Sequence, residues 1–311
     1  MKELKILAVV VFFTLVTYWG VEPFAHAQMH KHVEGDHFAY SDLPEVTKTG
    51  DAVNGQTLVM GAGACLGCHS MESQGMSAPM DASTAAASYG VNPPDLSNIG
   101  ALYDEKFLAA LIKNPAHALN VEHKFDQASG NMHPMTQFYG AGGDIDQEVA
   151  DMVAYFKSVA PKEITPKTAF DNACGRCHAM RYDNYTQLGD TPSFDGEKEA
   201  LAHKIKVLEY QDHLKAYMGK LPPDLSMIIR ARSGHFLETL VENPQTQLPG
   251  TSMPRVGLTK AGYEKVEEYL TEIGDPSKTK REALGPWVIG FFVIFTLLAF
   301  LWKRSQWRDL H

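Results

Sequence analysis

Two stretches of the chain are apolar on every face. Ile6 to Val21 carry no charge and follow Lys2 and Lys5. Residues 283–302 carry none either, and Trp287 and Trp302 mark the two ends of that run. Twenty residues at the helical rise cover roughly 30 Å, the hydrocarbon thickness of a bilayer. A helix apolar all round needs an enclosing protein or a membrane, so 283–302 is predicted to be a transmembrane helix. Lys303, Arg304 and Arg308 follow it, which predicts that the tail 303–311 is cytoplasmic. The N-terminal run is shorter, and Ala25-His26-Ala27 has the form of a signal-peptidase site. Tyr18 and Trp19 sit where an interfacial belt would fall. Residues 1–28 are therefore read as a signal peptide or an N-terminal membrane anchor. Either places the bulk of the chain outside the cytoplasm.

Between these runs the apolar positions take helical spacing. Phe107, Leu108, Leu111 and Ile112 form one stripe, stopped at Asn114-Pro115. Ile145, Val149, Met152, Val153 and Phe156 form another, ended by Pro161. Asp95 or Ser97 would N-cap the helix after the Asn92-Pro-Pro-Asp-Leu-Ser97 turn. The pattern then returns. Pro222-Pro-Asp-Leu-Ser226, Phe236-Leu237, Leu240 and Asn243-Pro244 repeat Pro93-Pro-Asp-Leu-Ser97, Phe107-Leu108, Leu111 and Asn114-Pro115, each 129 positions later. A fixed offset over this length signals a duplicated unit. The chain is thus divided into 1–28, a linker at 29–50, a first domain at 51–161, a second at 166–275, the span 283–302 and the tail 303–311. The fold class predicted is mainly α: two tandem domains with a C-terminal transmembrane helix and an N-terminal signal or anchor segment.

Thirty-seven acidic and 28 basic residues give a net charge of about −9. That disfavours nucleic acid as a partner, since phosphate contacts need a basic surface, and suits a basic protein partner. His30, His32 and His37 fall in the linker; a solvated connection is the simpler reading there than a surface metal site, because nothing nearby fixes a geometry.

The chemistry lies in the four cysteines. Cys65-Leu-Gly-Cys68-His69 and Cys174-Gly-Arg-Cys177-His178 both read C-x-x-C-H and use every cysteine in the chain. Two thiols at this spacing reach the two vinyl groups on one porphyrin edge, and the adjacent His lies under the ring to bind iron. This predicts two cytochrome c-type domains, each with a covalently bound haem c. Two C-x-x-C pairs could instead supply one zinc, but the His after each pair argues for haem. The motifs are 109 positions apart, so the second unit carries about twenty extra residues between its haem motif and PPDLS, within the polar stretch 181–218.

A sixth ligand is available in each unit. Met253, in Pro249-Gly-Thr-Ser-Met253-Pro254, stands in a Pro/Gly loop ahead of the closing helix. In the first unit Met135 is preferred, because Phe138 follows it by three as Val256 follows Met253; Met132, His133 and His123 are alternatives. A thioether is soft and favours Fe(II). Pro93 and Pro222 are expected to hold a carbonyl against the axial His, fixing its tautomer. A simple turn before a helix is the alternative.

Cys174-Gly-Arg-Cys-His-Ala-Met-Arg-Tyr182 with Tyr185 and Leu188-Gly189, Lys220-Leu-Pro-Pro-Asp-Leu-Ser226 with Ala231-Arg232, and the tail from Trp302 resemble the cytochrome c1 family over roughly residues 166–311. The resemblance implies a subunit of a quinol–cytochrome c reductase of the bc1 type. Its partners would be cytochrome b and the Rieske iron–sulfur subunit, with a downstream cytochrome c or oxidase as acceptor. His178 and Met253 match the family's axial ligands. The haem domains would lie on the periplasmic side of the inner membrane. The extra domain at 51–160 departs from the family pattern and is similar to dihaem c1 subunits of some bacterial bc complexes. Two other readings stand beside this one: the dihaem electron-entry subunit of a cbb3-type oxidase, usually anchored at its N-terminus, and a dihaem peroxidase-like enzyme, which needs an open iron position.

Overall fold

A computed structural model describes residues 2–30, 35–125 and 130–308. The protein is mainly helical. Helices α1 (Lys2–Val16) and α2 (Glu22–His30) are joined by a π-helical turn at Thr17–Val21. The first repeat holds α3 (Ala52–Met60), α4 (Ala82–Tyr89), α5 (Ile99–Leu102), α6 (Glu105–Lys113), α7 (Pro115–Ala118) and α8 (Ile145–Val159). The second holds α9 (Pro166–Phe170), a two-stranded antiparallel hairpin of β1 (Tyr185–Thr186) and β2 (Gly189–Asp190), then α10 (Glu197–Met218), α11 (Ile228–Ala231), α12 (Gly234–Glu242), α13 (Pro244–Gln247) and α14 (Lys260–Gly274). Helix α15 (Lys278–Trp307) ends the described chain.

Local chemistry explains the boundaries. Asp51, Asp81, Asp104 and Asp144 cap α3, α4, α6 and α8 by accepting from free N–H groups of the first turn. Asn114 and Asn243 end α6 and α12, and Pro115 and Pro244 open the next turns, where a missing N–H costs nothing. The duplication persists in three dimensions: α5, α6 and α7 recur as α11, α12 and α13 at the same offset of 129.

In each repeat the first helix crosses the last. Gly55 of α3 lies against the backbone of Asp151 and the side chain of Tyr155 on α8, and any larger residue would force the crossing apart. In the second repeat Ala169 and Phe170 are fully buried, and the Phe170 ring lies 4.8 Å from that of Tyr269 on α14. The repeats also share a core, because one cluster contains Leu102, Phe107 and Ala118 together with Phe170, Leu258 and Tyr263. Backbone bonds tie the two, from Asp104 N to Gly257 O at 2.9 Å and from Thr259 N to Leu102 O at 2.8 Å.

The segment read as a solvated linker is partly core. Phe38, Tyr40 and Leu43 are buried in the shared cluster, and the Tyr40 hydroxyl donates to Leu258 O at 2.6 Å. These side chains pack on both repeats, Phe38 against Tyr263 and Tyr40 against Phe107. His37 is exposed, and residues 31–34, which include His32, lie outside the described residues.

Among the described residues two helices are long and apolar enough to cross a membrane, Lys2–Gln28 and Lys278–Trp307, and no residue of either apolar window is buried. Lys303 Nζ lies 3.0 Å from Glu3 Oε1, so the start of one helix meets the end of the other.

Tyr40→Ala should destabilise the protein by about 3 kcal/mol or more, the usual loss for a buried aromatic. Urea denaturation of the detergent-solubilised full chain checks this. An unchanged midpoint would mean that the segment does not pack as described.

Candidate functional site

Both C-x-x-C-H segments fold into the same turn. His69 N donates to Cys65 O at 3.0 Å and His178 N to Cys174 O at 2.9 Å, while Cys68 N and Cys177 N reach the same two carbonyls at 3.2 and 3.1 Å. The tight winding brings the two cysteines and the histidine of each motif into a single turn of backbone. None of the four cysteines is in a disulfide, and burial pushes the Cys174 thiol up to about 12. Gly175 has a packing reason, since the Tyr185 ring stands where its side chain would be. Tyr185 in turn donates to Asp171.

Each histidine is held by a proline carbonyl. His69 Nδ1 donates to Pro94 O at 2.8 Å, and His178 Nδ1 to Pro223 O at 2.8 Å. A carbonyl can only accept, so Nδ1 carries the proton and Nε2 is left with its lone pair. Burial lowers the pKa of both rings, which favours the neutral form that a metal ligand needs. The Arg176 guanidinium adds in the same direction at His69. The accepting carbonyls, of Pro94 and Pro223, are one residue further along than Pro93 and Pro222, where the sequence reading put them. The first proline stiffens the turn, and the carbonyl that emerges towards the ring is that of the second.

The rest of PPDLS is a latch. Asp95 accepts from Ser70 Oγ at 2.7 Å and Glu72 N at 3.0 Å, and Ser97 Oγ accepts from Ser73 N at 3.0 Å. In the second repeat Asp224 accepts from Arg181 N at 3.0 Å and Ser226 Oγ from Tyr182 N at 3.1 Å. Asp95 and Ser97 therefore do not cap α5, whose N-cap is Asn98 without a side-chain bond. They are spent on holding the segment after the histidine. Their recurrence 129 positions later was the signal available for this role.

The methionine loops also correspond. Phe138 N donates to Ile112 O at 2.9 Å, and Val256 N to Val241 O at a longer 3.5 Å. Ile112 and Val241 are equivalent helix positions, so these are the same bond in two copies, and Met135 and Met253 each stand three residues before it. Both are half-buried, whereas Met132 is 55% exposed and His123 is exposed. His133 Nδ1 accepts from Met135 N at 3.1 Å, so this histidine braces the loop that carries Met135. Gly250, at φ +80°, turns the Met253 loop, and Gln245 pins it through Gly250 N at 2.9 Å and Thr251 O at 2.7 Å.

These donor sets suit haem c. Each turn offers two thiols and one imidazole with a free Nε2, and each repeat a half-buried thioether in an equivalent loop. A zinc site is not supported, because among the described residues no three His, Cys, Asp or Glu side chains come together to hold a metal.

For the first repeat, comparison with known proteins agrees. A cytochrome c family model matches residues 52–160. Cytochrome c1 of Allochromatium vinosum is 23% identical over 200 residues, covering 46% of this chain and 82% of that protein. The ammonia monooxygenase gamma subunit of Nitrosomonas europaea is 24% identical over 190 residues, covering 46% of this chain and 80% of that one. Among solved structures, a chain of a hyperthermophilic respiratory Complex III is 24% identical with a TM-score of 0.35, covering 47% of this chain and 75% of that chain. Residues 52–160 are thus a cytochrome c domain that binds haem c covalently, and the chain is similar to cytochrome c1 over about half its length.

Proposed function

We propose that the chain is a membrane-anchored dihaem subunit of a bc1-type quinol–cytochrome c reductase, accepting electrons from the Rieske iron–sulfur protein and passing them to a downstream cytochrome c or oxidase. The observation that carries the second haem is the second complete copy of the His–carbonyl arrangement, at the same 2.8 Å. Cys65, Cys68, Cys174 and Cys177 would form the thioethers, and His69, Met135, His178 and Met253 would be the axial ligands. Haem c supplies a one-electron Fe(III)/Fe(II) couple when bound. The protein's own part is to hold neutral imidazoles and soft sulfur donors rigidly, so that little has to rearrange when the charge changes. With both a histidine and a methionine bound at each iron, no open position would be left for peroxidase chemistry. The C-terminal helix and its basic tail favour the c1-type role over an oxidase subunit anchored at its N-terminus. Lys303 beside Glu3 supports both chain ends lying on one face of the membrane, with both haem domains on the other.

The denatured protein should carry two covalent haems, counted by mass and by pyridine haemochrome. A count of one, or haem that acid acetone extracts, would show the reading to be wrong. Protease added to intact spheroplasts should remove the haem-staining domains and spare the C-terminal tail; the reverse pattern would invert the topology. Met253→Ala should lower the potential of the second haem by removing the donor that favours Fe(II). It should also admit carbon monoxide, which the parent protein should hardly bind. An unchanged spectrum and potential would assign the ligand elsewhere.

A further inference from the structure

The two haem-binding segments do not merely occur in one chain; they touch. Arg176, inside the second C-x-x-C-H, reaches into the first repeat, where its Nη1 donates to Asn92 O at 3.1 Å. Asn92 immediately precedes Pro93-Pro94, whose second carbonyl holds His69. The same residue is gripped from above by α10. Asn92 N donates to Tyr210 Oη at 3.1 Å, and Tyr210 Oη donates to Arg176 O at 2.9 Å. The Tyr210 hydroxyl therefore uses its donor on the second motif and an acceptor site on the first. The ring is fully buried, in a small cluster with Ala86 and Leu214 against which Cys177 and Val91 pack. Tyr103 Oη reinforces the junction by donating to Asn172 O at 3.2 Å.

Among the described residues the Arg176 guanidinium forms no ion pair, and its Nε is buried without a hydrogen-bond partner. A charge in such a place is weakly screened and acts over several ångströms on whatever is bound to either side.

We propose that Arg176, clamped by Asn92 and Tyr210, is a shared positioning residue for both haems: one fixed cation that stabilises the reduced state of each and ties the two redox centres into one unit. The proposal rests on the dihaem reading. The step it concerns is a one-electron reduction in which an electron moves from an external donor to iron, Fe(III) becomes Fe(II), and no bond or proton changes place. Losing a positive neighbour makes that step less favourable at both irons.

The test is redox potentiometry of the full chain in detergent, with haem counted independently by pyridine haemochrome. Arg176→Gln and Arg176→Met should each retain two haems and shift both midpoint potentials downward, the first haem's included, although the substitution lies in the second haem's motif. Arg176→Lys, which keeps the charge, should restore both towards the parent values. A shift at the second haem alone, with two haems present, would overturn the shared cation and leave the dihaem reading intact. One haem in the parent protein would overturn the dihaem reading itself. The unmodified protein gives a second measurement that does not depend on a variant folding. Sites that share one guanidinium are close enough to sense each other's charge, so reduction of one haem should lower the potential of the other. Two independent one-electron curves would refute the coupling.

Discussion

An imidazole that is to bind iron through Nε2 must have its other nitrogen held, or the ring is free to choose its tautomer and its plane. The 2.8 Å bond from Nδ1 to a proline carbonyl does this in both halves of the chain, and much of the surrounding structure serves it. The Pro-Pro pair fixes the carbonyl because proline restricts its own φ and disfavours the helical region for the residue before it. Asp95 with Ser97, and Asp224 with Ser226, then fasten the strand of chain that follows each histidine. Ring, carbonyl and latch move as one piece, so the histidine's orientation is set by the backbone rather than by its own rotamer.

That piece needs a rigid support, and the helix crossings provide it. At α3 and α8 a glycine lets the backbones approach, while at α9 and α14 a buried alanine and a tilted pair of aromatic rings fill the crossing. The shared cluster around Phe107, Leu258 and Tyr263, covered by Phe38, Tyr40 and Leu43, removes the freedom the two repeats would have had as separate bodies. Arg255 shows how tightly this region closes. Its side chain is almost wholly buried, ion-paired to Asp42 at 2.8 Å, and its backbone N–H donates to Leu119 O of the other repeat at 2.9 Å. A buried guanidinium retained for one carboxylate costs desolvation, and here it joins the covering segment, the Met253 loop and the first repeat at a single point.

Much of this was legible in the sequence because it is periodic or chemically specific. The stripes around Phe107 and Val149, the C-x-x-C-H turns and the 129-residue offset each correspond to an observed element. Other features left no such mark. Helix α10 buries only Val207, Tyr210 and Leu214, while Leu201, Ile205 and Leu208 face outward, so its apolar positions are spread round the helix and no 3.6-residue period stands out. Residues 36–43 pack through isolated side chains in irregular backbone, with His37, Phe38 and Tyr40 at positive φ, a conformation that pattern reading does not anticipate. The offset of the carbonyl from the first proline to the second depends on which way the turn emerges, which composition does not encode. Asp95 and Ser97 looked like caps because a cap and a latch use the same side-chain acceptors on the same kind of backbone donors.

The extra residues of the second repeat explain why the duplication is not symmetric in use. In the first repeat the short α4 follows the haem-attachment turn; in the second, the hairpin and the 22-residue α10 occupy that place in the chain. The added helix does not extend the second repeat outward. It lies across the first, with Tyr217 beside Gly90 and its ring 5.7 Å from that of Phe125, and with Lys124 donating to Tyr217 O while its ammonium sits 4.1 Å from the Tyr217 ring. Those contacts hold α10 against Gly90, Lys124 and Phe125 of the first repeat. An insertion that only lengthened a surface loop would have left the two motifs to the mobility of their connection. This one buries aromatic area at the boundary and donates its hydroxyl across it, which converts two similar units into a single scaffold with a defined order of parts.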